Sequence, residues 1–83
     1  MPIRVKLFYF GQARDAAGTR EEEFTLPDKA SVDVLLSKAS EAHEKIDKIR
    51  EILKIAVNEE LVERGKILRD GDTVALLPPV AGG

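Results

Sequence analysis

Cysteine is absent from the 83 residues. That excludes disulfide staples, zinc knuckles and thiol nucleophiles, and it makes a reducing, cytoplasmic setting the expected one. Histidine occurs once, at His43, with no second histidine or cysteine beside it, so no metal site is expected. Long apolar runs are missing as well. The N-terminal MPIRVKLFYFGQ lacks the h-region of a signal peptide, and nothing approaches the ~18 residues of a membrane span, so no membrane partner is expected. Charge of one sign is also scarce: 13 basic and 15 acidic residues are mixed along the chain and give a net charge of -2. Without a basic stripe, nucleic acid is not an expected partner. There is no internal repeat, no low-complexity tract and no linker before the final residues. A chain this short supports one domain with one modest core.

What is present reads as alternating strands around a helix. Ile3, Val5, Leu7 and Tyr9 share one face of a first strand, and Arg4, Lys6, Phe8 and Phe10 share the other, which starts charged and ends aromatic. GQARDAAG is long enough for a turn or two of helix. TREEEFTLP then reads as a second strand, with Phe24 and Leu26 on one side, the glutamates largely in water, and Pro27 as its stop. Ser31 is placed to cap a helix, with Asp33 near the positive end of its dipole. Val32, Leu35, Leu36, Ala39, Ala42 and His43 follow the spacing of a single buried stripe. The pattern continues through Ile46, Ile49 and Leu53, either as one helix or as a second short one after a kink near His43.

KIAVNEELV reads as a strand that turns at its polar centre and returns, and RDGD as a reversal in which Gly71 takes a positive φ. TVALLP is the last strand, with Val74 and Leu76 on one face and Thr73, Ala75 and Leu77 on the other. Hairpin, helix and further strands on one sheet make an α+β fold with the helix laid across one face. The helix also supplies the crossover that lets first and last strands pair in parallel.

Side-chain catalysis finds little support. His43 lies on or beside an apolar stripe and is read as packing or surface, the run Glu21 to Glu23 as a solvated strand face, and the serines lack a base partner. The glycines of GQARDAAG do not have the spacing of a phosphate loop. The closing LLPPVAGG is different. A free main-chain carboxylate is a poor electrophile, and joining it to AMP removes both its charge and its bad leaving group. An enzyme that does so must draw the carboxylate through a confined channel, where Gly82 and Gly83 allow the closest backbone approach. Pro78 and Pro79 stiffen the exit from the last strand. Extended, Val80, Ala81, Gly82 and Gly83 reach about 13 Å beyond that base.

DGDTVALLPPVAGG resembles the C-terminal signature of the small, sulfur-carrier subunits of molybdopterin synthase. KLFYFGQARDAAG is similar to that family's first strand and turn, and AVNEELV to its mid-chain segment, so the resemblance covers nearly the whole chain. It implies a ubiquitin-like β-grasp domain over residues 1–78, with a mixed sheet and one main helix packed across it. A Gly-Gly tail over residues 79–83, expected to be flexible, would follow. It implies further that an E1-like adenylyltransferase uses ATP to activate Gly83. A sulfur donor would then displace AMP to leave a thiocarboxylate. The tail (Pro78, Pro79, Val80, Ala81, Gly82 and Gly83) would carry that sulfur into the large catalytic subunit, where it reaches a cyclic pyranopterin precursor. No cofactor would be bound permanently, side-chain catalysis would belong to the partner, and a heterotetramer of two small and two large subunits is the implied assembly.

Phe10, Leu61 and Leu77 match positions of that family's partner-binding patch, with Phe8 contributing, and they lie on faces the helix is not expected to cover. A thiamine-pathway sulfur carrier shares the chemistry, although Pro78-Pro79 argues against it. A ubiquitin-like modifier would instead link Gly83 to a lysine of another protein, and a plain binding domain would leave the tail idle.

Overall fold

The computed structural model describes residues 1–79; the expectations for Val80, Ala81, Gly82 and Gly83 lie outside the described residues. β1 spans Ile3–Tyr9, and its alternation is realised: Ile3, Val5, Leu7 and Tyr9 are buried, while Arg4 and Lys6 are exposed. A short α1, Gln12–Ala17, turns the chain into β2, Glu21–Leu26, which pairs antiparallel with β1. After α2, Val32–Ala42, come α3, Glu44–Ile49, and a 3-10 turn over Arg50–Ile52. β3, Lys54–Val57, β4, Glu60–Val62, and β5, Thr73–Leu77, complete a sheet of order β2-β1-β5-β3-β4.

Only β1 and β5 run parallel, and α2 lies in the crossover between them, as the topology requires. This is the mixed-sheet, β-grasp arrangement that the resemblance implies. The core lies between one sheet face and the helices. It is built from alternate residues of β1, Val74 and Leu76 of β5, Ile55 and Val57 of β3, and the buried stripe Val32, Leu35, Leu36 and Ala39 of α2.

The helical segment breaks at one residue. Ser31 caps α2 by accepting from the Val34 N–H at 3.4 Å. At the other end His43 is extended, with φ -137 and ψ 103, and serves both helices. Its N–H donates to the Ala39 carbonyl at 2.8 Å, and its own carbonyl accepts from the Ile46 N–H at 2.9 Å. The kink alternative is therefore the one realised. Ala42, read as part of the buried stripe, is exposed because the helix ends there and the His43 ring turns inward in its place. Ile46 then resumes the buried stripe from α3.

Arg64 stabilises the end of that segment. Its guanidinium donates to the carbonyls of Arg50, Glu51 and Leu53 at 2.8, 3.2 and 3.3 Å, groups that a helix end leaves without partners. Arg64→Ala is expected to cost about 1 to 2 kcal/mol in urea unfolding, a loss that Arg64→Lys recovers only in part because one ammonium lacks the planar fork.

The turns follow their local chemistry. Asn58 and Glu59, with φ 51 and 71, form a two-residue loop between β3 and β4 that needs positive φ at both positions. Asparagine tolerates that region and glutamate does not, so Glu59→Gly is expected to raise stability by about 0.5 to 1 kcal/mol in the same measurement. At the RDGD reversal Gly71 takes φ 87, and its N–H donates to the Arg4 carbonyl at 2.8 Å. The intervening segment had no assigned role in the sequence. It places Leu68 in the core and bridges Ile67 to Ser31 ahead of α2.

Candidate functional site

Strand register defines the face of the sheet that no helix covers. Residues paired across neighbouring strands point to the same side, so Glu21, Phe8, Ala75, Ala56 and Leu61 form one row from β2 to β4. Four of the five are apolar. Ala56 is buried yet lies outside the core cluster, consistent with its place in the middle of this outer row. Leu77 lies one step further along β5, opposite Lys54. Leu61 is 68% exposed and Phe10 46% exposed, whereas Phe8 and Leu77 are half-buried.

The structure thus brings Phe8, Phe10 and Leu77 to one end of the sheet and sets Leu61 at the far end of the apolar row. Because β1 and β5 are parallel, Phe10 and Pro78 leave the sheet at the same end. The Phe10 N–H donates to the Leu76 carbonyl at 3.2 Å, and Pro78 lies against Gly11. Phe8 and Phe10, with Arg14, Arg20 and Glu21, line a cleft of about 430 Å³ beside that exit. Pro79, the last described residue, is exposed. The other half of the same face is polar: Arg4 pairs with Glu23 at 3.7 Å and Lys6 with Glu21 at 3.8 Å. The mixed second face of β1 therefore has a spatial meaning, with a charged half at the start of the strand and an apolar half at its end, where the chain also leaves β5.

A polar cluster occupies the opposite face. Glu22 accepts from the Tyr9 hydroxyl at 2.7 Å and pairs with His43, whose ring meets that of Tyr9 edge-on with centroids 5.8 Å apart. The reading of all three glutamates as largely solvated is corrected here for Glu22, which is half-buried on the side of Phe24 and Leu26. Burial alone would raise its carboxyl, but the hydrogen bonds from Tyr9 and His43, with the histidine's charge, outweigh that and hold it below the usual range. Burial, reinforced by Glu22, pushes the Tyr9 hydroxyl far above the ordinary tyrosine value. The cluster ties the α2–α3 break to the first hairpin, which gives His43 a packing role. Among the described residues no group of three or more His, Cys, Asp or Glu side chains is placed to hold a metal, and no helix is long and apolar enough to cross a membrane.

Glu22, Ala56 and Ala75 were not singled out from the sequence. The period of two that joins Glu22 to Phe24 and Leu26 carried the signal for the first. The alanines needed the register between strands.

The ThiS family model matches residues 7–83, nearly the whole chain. The chain belongs to the ThiS family. Its relatives include the molybdopterin synthase sulfur carrier subunit of Chlamydomonas reinhardtii, 36% identical over 83 residues that cover 98% of this chain and 100% of that one. Among solved structures, subunit 1 of a molybdopterin converting factor from Pyrococcus furiosus superimposes with a TM-score of 0.82 at 36% identity, over 94% of this chain and 99% of that one. One chain of the protein–protein complex of subunits 1 and 2 of the molybdopterin-converting factor from Helicobacter pylori matches with a TM-score of 0.66 at 28% identity, over 98% of this chain and 100% of that one. The resemblance read from LPPVAGG is borne out at the level of the family, and this ThiS-family chain matches each of these relatives over nearly their full length.

Proposed function

We propose that the chain is the sulfur carrier of molybdopterin synthesis. One observation carries the reading: the apolar row of the uncovered sheet face ends beside the point where the chain leaves β5. That arrangement suits a domain that docks by its face and delivers its end. The relatives named sulfur carrier subunits, and the two-subunit complex of one such neighbour, support it.

In this reading an E1-like adenylyltransferase joins the Gly83 carboxylate to the α-phosphate of ATP and releases pyrophosphate. A sulfur donor then attacks the acyl carbon and AMP departs, leaving a thiocarboxylate. That group is ionised and nucleophilic at neutral pH, as a thiolate is. The large catalytic subunit receives the tail through contacts with Phe10, Leu61, Leu77 and Phe8, and the terminal sulfur passes to the pyranopterin precursor. The carrier supplies a reactive end and a docking face, and the partner supplies side-chain catalysis.

The intact mass of the protein, incubated with ATP, an E1-like enzyme and a sulfur source, tests this. Replacement of one oxygen by sulfur, mapped to the terminal peptide and lost on deletion of Gly83, is the expected result. An unchanged mass together with Gly83-linked lysine conjugates would identify a protein modifier instead.

A further inference from the structure

Gly11 joins β1 to α1 with φ 51 and ψ -122, a backbone that residues with a side chain rarely adopt. A Cβ at this position would stand 3.1 Å from Pro78 Cγ, 3.6 Å from Cδ and 3.8 Å from Cβ. The first of these is well inside the roughly 3.5 to 4.0 Å at which carbon atoms attract. The proline ring therefore lies in space that a side chain at residue 11 would contest. Pro78 has no N–H with which to extend the β5 ladder, so the hydrogen bond from Phe10 to the Leu76 carbonyl has no counterpart two residues on.

We propose that Gly11 is a positioning residue for the sulfur-carrying tail. By leaving out a side chain it lets Pro78 rest on the β1–α1 turn, and that seat sets the direction in which the chain leaves the sheet. The inference rests on the carrier reading, because the direction matters only if the end must enter another protein's site. Attack of the carboxylate on the α-phosphate of ATP, with pyrophosphate leaving, depends on placement, so a redirected base slows the chemical step while the apolar docking face stays intact.

Gly11→Ala adds the contested methyl and also strains φ. Two further variants separate these effects. Gly71→Ala reproduces the strain alone, since Gly71 has φ +87 and an added Cβ there meets nothing within 4 Å. Pro78→Ala removes Cγ and Cδ, the two nearest atoms.

The measurement is steady-state thiocarboxylate formation by the full chain with an E1-like enzyme, ATP and sulfide, read by mass, with melting temperatures alongside. Gly11→Ala is expected to lower kcat about five- to tenfold with KM within about twofold of wild type. Gly71→Ala should melt earlier yet keep the wild-type kcat. In the Pro78→Ala background, Gly11→Ala should cost less than about twofold further, the non-additivity of residues in contact. An equal further loss in that background, or an equal kcat loss in Gly71→Ala, overturns the proposal. If Gly11→Ala does not fold, Pro78→Ala is compared with Pro79→Ala, which shares the loss of stiffness but not the contact with Gly11: a clearly larger kcat loss in Pro78→Ala at unchanged KM supports the seat, and an equal loss or an unchanged kcat overturns it. Wild type that takes no sulfur overturns the carrier reading itself, whereas active wild type with an unaffected Gly11→Ala overturns this inference alone.

Discussion

Phe10→Asp is expected to weaken binding to the large synthase subunit by about 30-fold or more while the domain stays folded. Phe10 is 46% exposed at the end of β1, so replacing it removes little core contact. In the free protein the new carboxylate faces water. In a complex built on the apolar row it would be buried among Phe8, Leu77 and the partner's surface without a designed counter-charge, and burying an unpaired charge is expensive. Leu61→Asp, 68% exposed at the other end of the row, should weaken binding in the same direction. Calorimetric titration of the purified large subunit gives the affinity, and thermal melting shows whether the fold survives. Unchanged affinity in both variants would remove this face from the interface. Unfolding of Phe10→Asp would make that residue core.

Glu22→Ala is expected to cost about 2 to 3 kcal/mol at neutral pH, because it strands a buried tyrosine hydroxyl and removes the acceptor of His43. The same residue governs the response to acid. Its carboxyl is held below the usual range in the folded chain, so its stabilisation is present above the ordinary carboxylate value of about 4.3 and is lost as pH falls through the folded value. Tyr9 acts at the other extreme. Its hydroxyl is raised in the fold, so stability falls as pH rises past the ordinary tyrosine value of about 10, where the unfolded chain ionises. Urea unfolding across pH should therefore show wild type losing stability in strong acid more steeply than Glu22→Ala. Parallel acid limbs for the two proteins would assign the acid sensitivity elsewhere.

Local patterns were legible where a single element decides them. The period of two in Ile3 to Tyr9, the helical spacing from Val32 to Ala39, the Ser31 cap and the positive φ of Gly71 each depend on neighbours in sequence, and each is realised. The parallel pairing of first and last strands was also within reach, because a crossover helix stands between them. What depended on register was not. Ala56 and Ala75 carry no signal in isolation and become part of an apolar surface only when β3 and β5 align them with Phe8 and Leu61. Glu22 was obscured by glutamates on either side, although its phase with Leu26 placed it inward. The break at His43 has no glycine or proline to announce it. The ring there contacts Tyr9 and Glu22, which come from the first hairpin, both more than twenty positions earlier in the sequence.

The adjacency of β1 and β5 at the centre of the sheet makes the docking face a record of completed folding. Its aromatic end comes from the first strand, its middle from the last strand and β3, and its far aliphatic end from Leu61 of β4. The β1–β2 hairpin has an inner edge that is paired only by the final strand. That closure joins residues more than sixty positions apart, and pairing of such range slows folding relative to local contacts. No partial product has the assembled patch beside the C-terminal segment. The face proposed to dock the large subunit therefore exists only once β5 has taken its place between β1 and β3.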